Sequence, residues 1–351
     1  MKNRQLTFAR EYRGYSQSKL ASEVPGLSQS NLSKFEKGLG PLSEELIRRI
    51  MNVLDFPIEF LNLSFTTTED GHYRKKSSIK ASIRNQIRSF IKLIAHTIDC
   101  VAEEIEFPEF KFKYIDIDSY GTTPEEIAQI VRRQFKLGDT PIKDIFGFLE
   151  SNGIITYQWD CDIDDFDGVS LVTDKGYHLI IVNRNMSNDR VRFTLAHELG
   201  HIIMHQSLDF IIPENRNKEI EAHKFAAEFL MPEKAIRPYL TKVTINGLIL
   251  IKKYWLTSMA ALLHRAKELH LIDDKRHKYL LIELSRNGWR SKEPVSVYID
   301  RPKAIEMASN LLRNELSYQY EDIAKATALP VDIVDKIFNI NSRPKIIFGL
   351  T

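Results

Sequence analysis

The chain has 351 residues, too many for one ordinary core, so two or three domains are expected, each able to bury its own apolar interior. With 43% hydrophobic and 27% charged residues the balance is globular, and a formal charge of +2 supplies no global attraction to nucleic acid or membrane, so any DNA-binding surface must come from local clustering. Cys100 and Cys161 stand far apart, which excludes a disulfide framework and a cysteine-rich zinc site and fits a reducing, cytoplasmic setting. No run of about 18 apolar residues occurs and the first residues lack the apolar stretch of a signal peptide, so no membrane partner is expected.

Residues 1–63 carry helical periodicity: Leu6, Ala9 and Tyr12 share one face, Leu20, Ala21 and Val24 a second, and Leu46, Ile50 and Leu54 a third. Within this unit Ser16 and Ser28 are helix N-caps separated by a Pro25-Gly26-Leu27 turn, and Gly38 stops the second helix. Leu20, Ala21, Leu27, Leu32 and Phe35 are the expected core, which leaves Gln29, Ser30, Asn31, Ser33, Lys34 and Lys37 facing outward. Short polar and basic side chains at the start of a second helix suit entry into a major groove. The run resembles the XRE (Cro/phage-repressor-like) helix-turn-helix family over some 60 residues, which implies double-stranded DNA as partner, Gln17 at a phosphate, and Gln29, Ser30 and Lys34 at bases; the outward-facing Lys37 is expected to act through phosphate. Residues 64–106 read as a polar linker followed by a connecting helix, with Arg74, Lys75, Lys76, Lys80, Arg84 and Arg88 as a solvated basic flank.

Residues 107–240 mix helices and strands, with strand patterns at Gly153 to Tyr157, Gly168 to Val172 and His178 to Val182, so the fold class is α+β and multidomain. The third of these strands is either an ordinary buried strand or an edge against which an extended peptide adds. The segment that follows contains His197-Glu198-Leu-Gly-His201 on a helical pattern opened by Ser187 or Asn188 and Asp189. Four residues advance a helix by about 6 Å and just over one turn, so both imidazoles face one ion while Glu198 sits on the flank as a general base. A second helical pattern ends at Pro232 and offers Glu221 as third ligand; Glu219 points to roughly the opposite side of that helix, Glu228 lies two turns on as a solvated carboxylate, and His205 is a neighbour of the ligands rather than one of them. Three protein ligands leave a position open for water, the arrangement of a catalytic zinc site, with Mn2+ as an alternative ion. His223, Tyr157 and Arg192 are all available to stabilise an oxyanion, and spacing does not choose among them.

His197 to His201, His205, Glu221-Ala-x-x-Phe225-Ala-Ala-x-x-Leu230-Met-Pro232, the run His178 to Asn183 and the stretch Trp255 to Ala266 together resemble the ImmA/IrrE family of metallopeptidases over roughly residues 150–270. The resemblance implies a gluzincin-like α+β core, a divalent metal on His197, His201 and Glu221, Glu198 as general base, and a protein substrate that is often a transcriptional repressor. Residues 241–351 are expected to be mostly helical, with a short strand at Val295 to Ile299 and two helix-turn-helix-like stretches, Leu248 to Ile272 and Tyr318 to Phe338, that support the rest. The expected whole is a cytoplasmic zinc peptidase and transcriptional regulator, with a homodimer left open. The competing expectation is a DNA-binding transcription factor whose metal site senses or scaffolds without turnover.

Overall fold

The computed structural model describes residues 2–65, 80–161, 163, 165–207, 212–213 and 215–338; Arg74, Lys75 and Lys76 of the expected basic flank lie outside the described residues. The N-terminal unit runs α1 (Lys2–Tyr12), α2 (Gln17–Glu23), α3 (Gln29–Glu36), α4 (Glu44–Val53) and a 3-10 turn at Ile58–Asn62. The middle follows with α5 (Ala81–Val101), α6 (Ile117–Tyr120), α7 (Pro124–Gln134), α8 (Ile145–Ser151), β1 (Ile154–Trp159), β2 (Gly168–Val172), β3 (His178–Asn183), α9 (Asn188–His205) and α10 (Lys218–Leu230). The rest is helical: α11 (Glu233–Leu240), α12 (Ile245–Trp255), α13 (Met259–Glu268), α14 (Asp274–Arg286), α15 (Ala304–Asn314), α16 (Tyr320–Thr327) and α17 (Val331–Phe338).

The small sheet divides two cores, and strand periodicity shows why. Its order is β1-β3-β2, with β1 parallel to β3 and β2 antiparallel to it. Ile155, Tyr157, Trp159, Val169, Leu171, Leu179 and Ile181 point into a core shared with the N-terminal unit, α5 and α15 to α17. The alternate residues Ile154, Ile180 and Val182 point into a second core built on α7 to α14, where Leu195, Ala196, Leu199, Ile202 and Ile203 of α9 are fully or almost fully buried. A strand buried on both faces is apolar throughout, and β3 is buried along its whole length. It is the central strand, so among the described residues the edges of the sheet are β1 and β2 and not the His178 to Val182 strand.

Two further expectations change. Val295 to Ile299 forms no strand; the segment is irregular, and Asn188 Nδ2 donates to the Val297 carbonyl at 2.7 Å, tying it to the start of α9. Glu228 is not solvated but 2% exposed, held by Arg265 of α13, Gln129 of α7 at 2.9 Å and the Glu233 amide. That buried pair fastens α10 to α13 and α7. The α15 to α17 unit joins the N-terminal unit through Arg13, which bridges Asp332 at 2.7 Å, and through Lys336, whose ammonium lies 5.8 Å from the Tyr12 ring centroid and 4.5 Å from that of Phe90 on α5.

Candidate metal centre

Helix α9 starts with Ser187 in the N-cap position and Asp189 in its first turn, where negative charge opposes the helix dipole. The apolar residues Leu195, Leu199 and Ile202 fix the helix on the sheet side, so the other side turns His197, Glu198 and the fully buried His201 towards α10, with His197 and Glu198 lining a cleft of about 1240 Å³. Helix α10 approaches closely because Gly200 has no side chain: a Cβ there would lie 3.0 Å from Phe225 Cδ1 and 3.2 Å from Cγ. Phe225 therefore seats directly on α9 between the two histidine turns.

That seating decides which carboxylate reaches the imidazoles. His197 Nε2 and His201 Nε2 lie 3.1 Å apart, and the two oxygens of Glu219 lie 3.5 Å from one nitrogen each. His197, His201 and Glu219 thus bring one donor atom each within 4.8 Å of one another. The expected third donor, Glu221, is elsewhere: it accepts from His205 Nε2 at 2.8 Å and from Arg216 Nε at 2.9 Å and Nη2 at 2.6 Å. The physical reason is helix phase. Glu219, His223 and Ala227, at i, i+4 and i+8, line the cleft as one stripe of α10, whereas Glu221 is turned about 200° from Glu219. That stripe, with a second histidine one turn after the carboxylate and a small residue one turn later, was the signal available in the sequence.

The donor set fits a divalent ion. Two imidazole nitrogens and carboxylate oxygens suit zinc or manganese, and donor spacings of 3.1 to 3.5 Å are close to the roughly 3.3 Å edge of a tetrahedron with bonds of about 2.0 Å. The imidazoles of His197 and His201 beside it hold the Glu219 carboxyl below the usual carboxylate range. Glu198 is 3% exposed, and burial pushes its carboxyl above the usual range against the pull of His197 and Ser170. Its Oε2 accepts from Ser170 Oγ at 2.7 Å, and Ser170 in turn accepts from Gln206 Nε2 at 2.9 Å. Ser170 and Gln206 were missed because one is on β2 and the other just past the end of α9, a proximity that only the fold creates.

Of the three oxyanion candidates, only His223 lines the cleft; it packs on Phe193 with ring centroids 4.9 Å apart. Tyr157 is on the other face of the sheet, donating to the Lys336 carbonyl at 3.1 Å. Arg192 is 1% exposed and holds the carbonyls of Lys143, at 3.0 Å, and Ile142. His205 lies between His201 and Glu221, with Nδ1 2.9 Å from His201 Nδ1. Burial favours its neutral form, and burial of Glu221 is outweighed by His205 and Arg216, which bring that carboxyl down to about 2.

In the N-terminal unit, Ser16 and Ser28 cap α2 and α3 by accepting from Lys19 N and Asn31 N, both at 3.1 Å. Gly38 adopts φ +73 just beyond α3, where a left-handed residue ends a helix. Gln29, Ser30, Lys34 and Lys37 are exposed on one side of α3. Gln17 is half-buried: its Nε2 donates to Glu36 Oε2 at 2.6 Å and its Oε1 accepts from Gln29 Nε2 at 2.9 Å. Glu36 is fixed by a bidentate pair to Arg10 at 2.6 and 2.9 Å, so the start of α2 and the start of α3 are locked to each other.

A two-histidine, one-carboxylate cluster beside a buried glutamate, facing a cleft, defines a metallopeptidase-like site, and the N-terminal unit is a DNA-binding helix-turn-helix. Residues 160–267 match the family model described as IrrE N-terminal-like domain, and residues 8–61 match the model described as Helix-turn-helix. The chain therefore joins an ImmA/IrrE-type metallopeptidase domain to an N-terminal XRE-type helix-turn-helix domain, as a metallopeptidase-like, DNA-binding regulator. A comparison with curated proteins gives no match. Among the described residues no helix is long and apolar enough to cross a membrane.

Proposed function

We propose that this chain hydrolyses a protein substrate with a zinc ion held by His197, His201 and Glu219 in the gluzincin manner, and that the helix-turn-helix domain brings this activity to an operator. The observation that carries the proposal is the convergence of those three side chains next to Glu198, a carboxylate buried on the same helix and opening on the same cleft. When bound, the ion supplies a Lewis acid for a water and for the scissile carbonyl. Glu198 is placed to take up the proton of that water and to return it to the leaving amine, because Ser170 engages only its Oε2. An extended peptide is accommodated alongside β2, the edge strand whose first residue Gly168 lines the cleft. His223 is the side chain placed to donate to a developing oxyanion.

A transcriptional repressor is the substrate class to test first. Purified protein should contain one zinc or manganese per chain by elemental analysis, and mass spectrometry should find cleavage of a candidate repressor by the wild type and none by Glu198→Gln. Equal cleavage by the two proteins contradicts the role of Glu198, and metal-containing protein without cleavage of any candidate favours a sensor or scaffold.

For DNA, the exposed residues Gln29, Ser30 and Lys34 are proposed to read bases, while Gln17 and Lys37 contact phosphates. The Arg10–Glu36–Gln17–Gln29 chain supports this by presetting the two helix starts. Operator selection with the full chain should enrich a defined sequence that Lys34→Ala no longer prefers; enrichment of no sequence contradicts base reading.

A further inference from the structure

We infer that His205, Glu221 and Arg216 form a hydrogen-bonded relay that sets the tautomer and ring orientation of His201, and thereby the metal affinity of the site. The inference rests on the ligand set proposed above and adds positioning residues to it. Arg216 carries donors only, and it grips both oxygens of Glu221 at 2.9 and 2.6 Å, so Glu221 acts as acceptor. His205 Nε2, 2.8 Å from Glu221 Oε2, is therefore protonated, and since full burial of the side chain favours a neutral ring, it is the only protonated nitrogen. That leaves a lone pair on His205 Nδ1, which accepts from His201 Nδ1 at 2.9 Å. With its proton on Nδ1, His201 turns an unprotonated Nε2 towards His197 and Glu219, as ligation requires.

Reversing the relay shows what it controls. Were His205 to donate from Nδ1, His201 would carry its proton on Nε2 and could not ligate. Direction is imposed from the far end, where Arg216 also reaches Asp116 and Asp118 at 3.3 Å each and is anchored to the α6 region. The His205 side chain is fully buried, so bulk water does not substitute for it. Carboxylate partners of this kind orient ligating histidines directly in many metal sites; here an additional imidazole carries the orientation one residue further.

The test is zinc affinity by chelator competition on the full chain. His205→Phe keeps a ring of similar size without nitrogens and should weaken zinc about 10- to 100-fold, while His205→Gln, whose amide oxygen can accept from His201, should recover part of that loss. Long-range proton–nitrogen NMR of the metal-free wild type should show His201 protonated on Nδ1. Unchanged affinity in a folded His205→Phe, or an Nε2-protonated His201, overturns the relay. If His205→Phe does not fold, the wild-type tautomer decides alone. Wild-type protein that binds no zinc overturns the ligand proposal itself, a distinguishable failure.

Discussion

Replacing Gly200 by alanine tests whether the contact between α9 and α10 spaces the metal donors. The added Cβ would sit 3.0 to 3.3 Å from three carbons of Phe225, a few tenths of an ångström short of ordinary contact near about 3.5 Å. Phe225 is fully buried and stacked on Phe229 at 5.6 Å, so it cannot swing away and α10 must give instead. Overpacking of this kind costs about 1 to 3 kcal/mol, against a gain of about 1 kcal/mol in helix propensity from Gly to Ala, so the net loss of stability is expected to be about 0 to 2 kcal/mol. Metal sites tolerate displacements of only about 0.2 Å, so moving Glu219 on α10 should weaken zinc by roughly tenfold even where stability barely changes. Gly200→Ala combined with Phe225→Ala, which removes the two closest carbons, Cδ1 and Cγ, and leaves only Cβ at 3.3 Å, should restore part of the affinity. Denaturant unfolding of the metal-free protein and chelator competition measure the two effects. Unaltered zinc affinity in Gly200→Ala would show that this contact does not set the donor spacing.

Arg265→Met strands Glu228 among buried groups and should destabilise the protein by about 3 to 5 kcal/mol in urea unfolding, with much of the loss recovered by adding Glu228→Leu. Lys37→Ala should weaken DNA binding similarly for all sequences and lower the salt dependence by about one ion, whereas Gln29→Ala should cost roughly 1 to 3 kcal/mol on the preferred operator alone. Lys336 is depressed by burial from 10.5 to about 8, so between those values the unfolded chain holds the extra proton and stability rises with pH; below about pH 8 the buried charge opposes folding. Lys336→Met should therefore be more stable than the wild type at pH 7 and lose this part of the rise between pH 8 and 10.5, measured as the difference between the two unfolding curves.

Features governed by neighbours in the chain were legible before the fold was known. The i, i+4 spacing of His197 and His201 places both on one helix face, and Ser16, Ser28 and Gly38 mark helix ends through bonds or backbone angles within a few residues. What depended on packing between elements was not. That Glu219 rather than Glu221 lies beside the two histidines follows from the rotation of α10 about its axis, with Phe225 seated on Gly200. The burial of Glu228 depends on Arg265, 37 positions away, and which strands edge the sheet depends on strand order, which periodicity along a single strand cannot reveal.

The proposed mechanism depends on the identity of the third donor, and anomalous diffraction at the zinc edge from crystals of zinc-loaded Glu198→Gln protein locates it directly. One ion is expected about 2.0 to 2.1 Å from His197 Nε2 and His201 Nε2, with a Glu219 oxygen about 2.0 to 2.2 Å away and Glu221 still paired with His205 and Arg216. An ion bound by Glu221 or His205 instead, or no ion between the two histidines, would contradict the proposed mechanism.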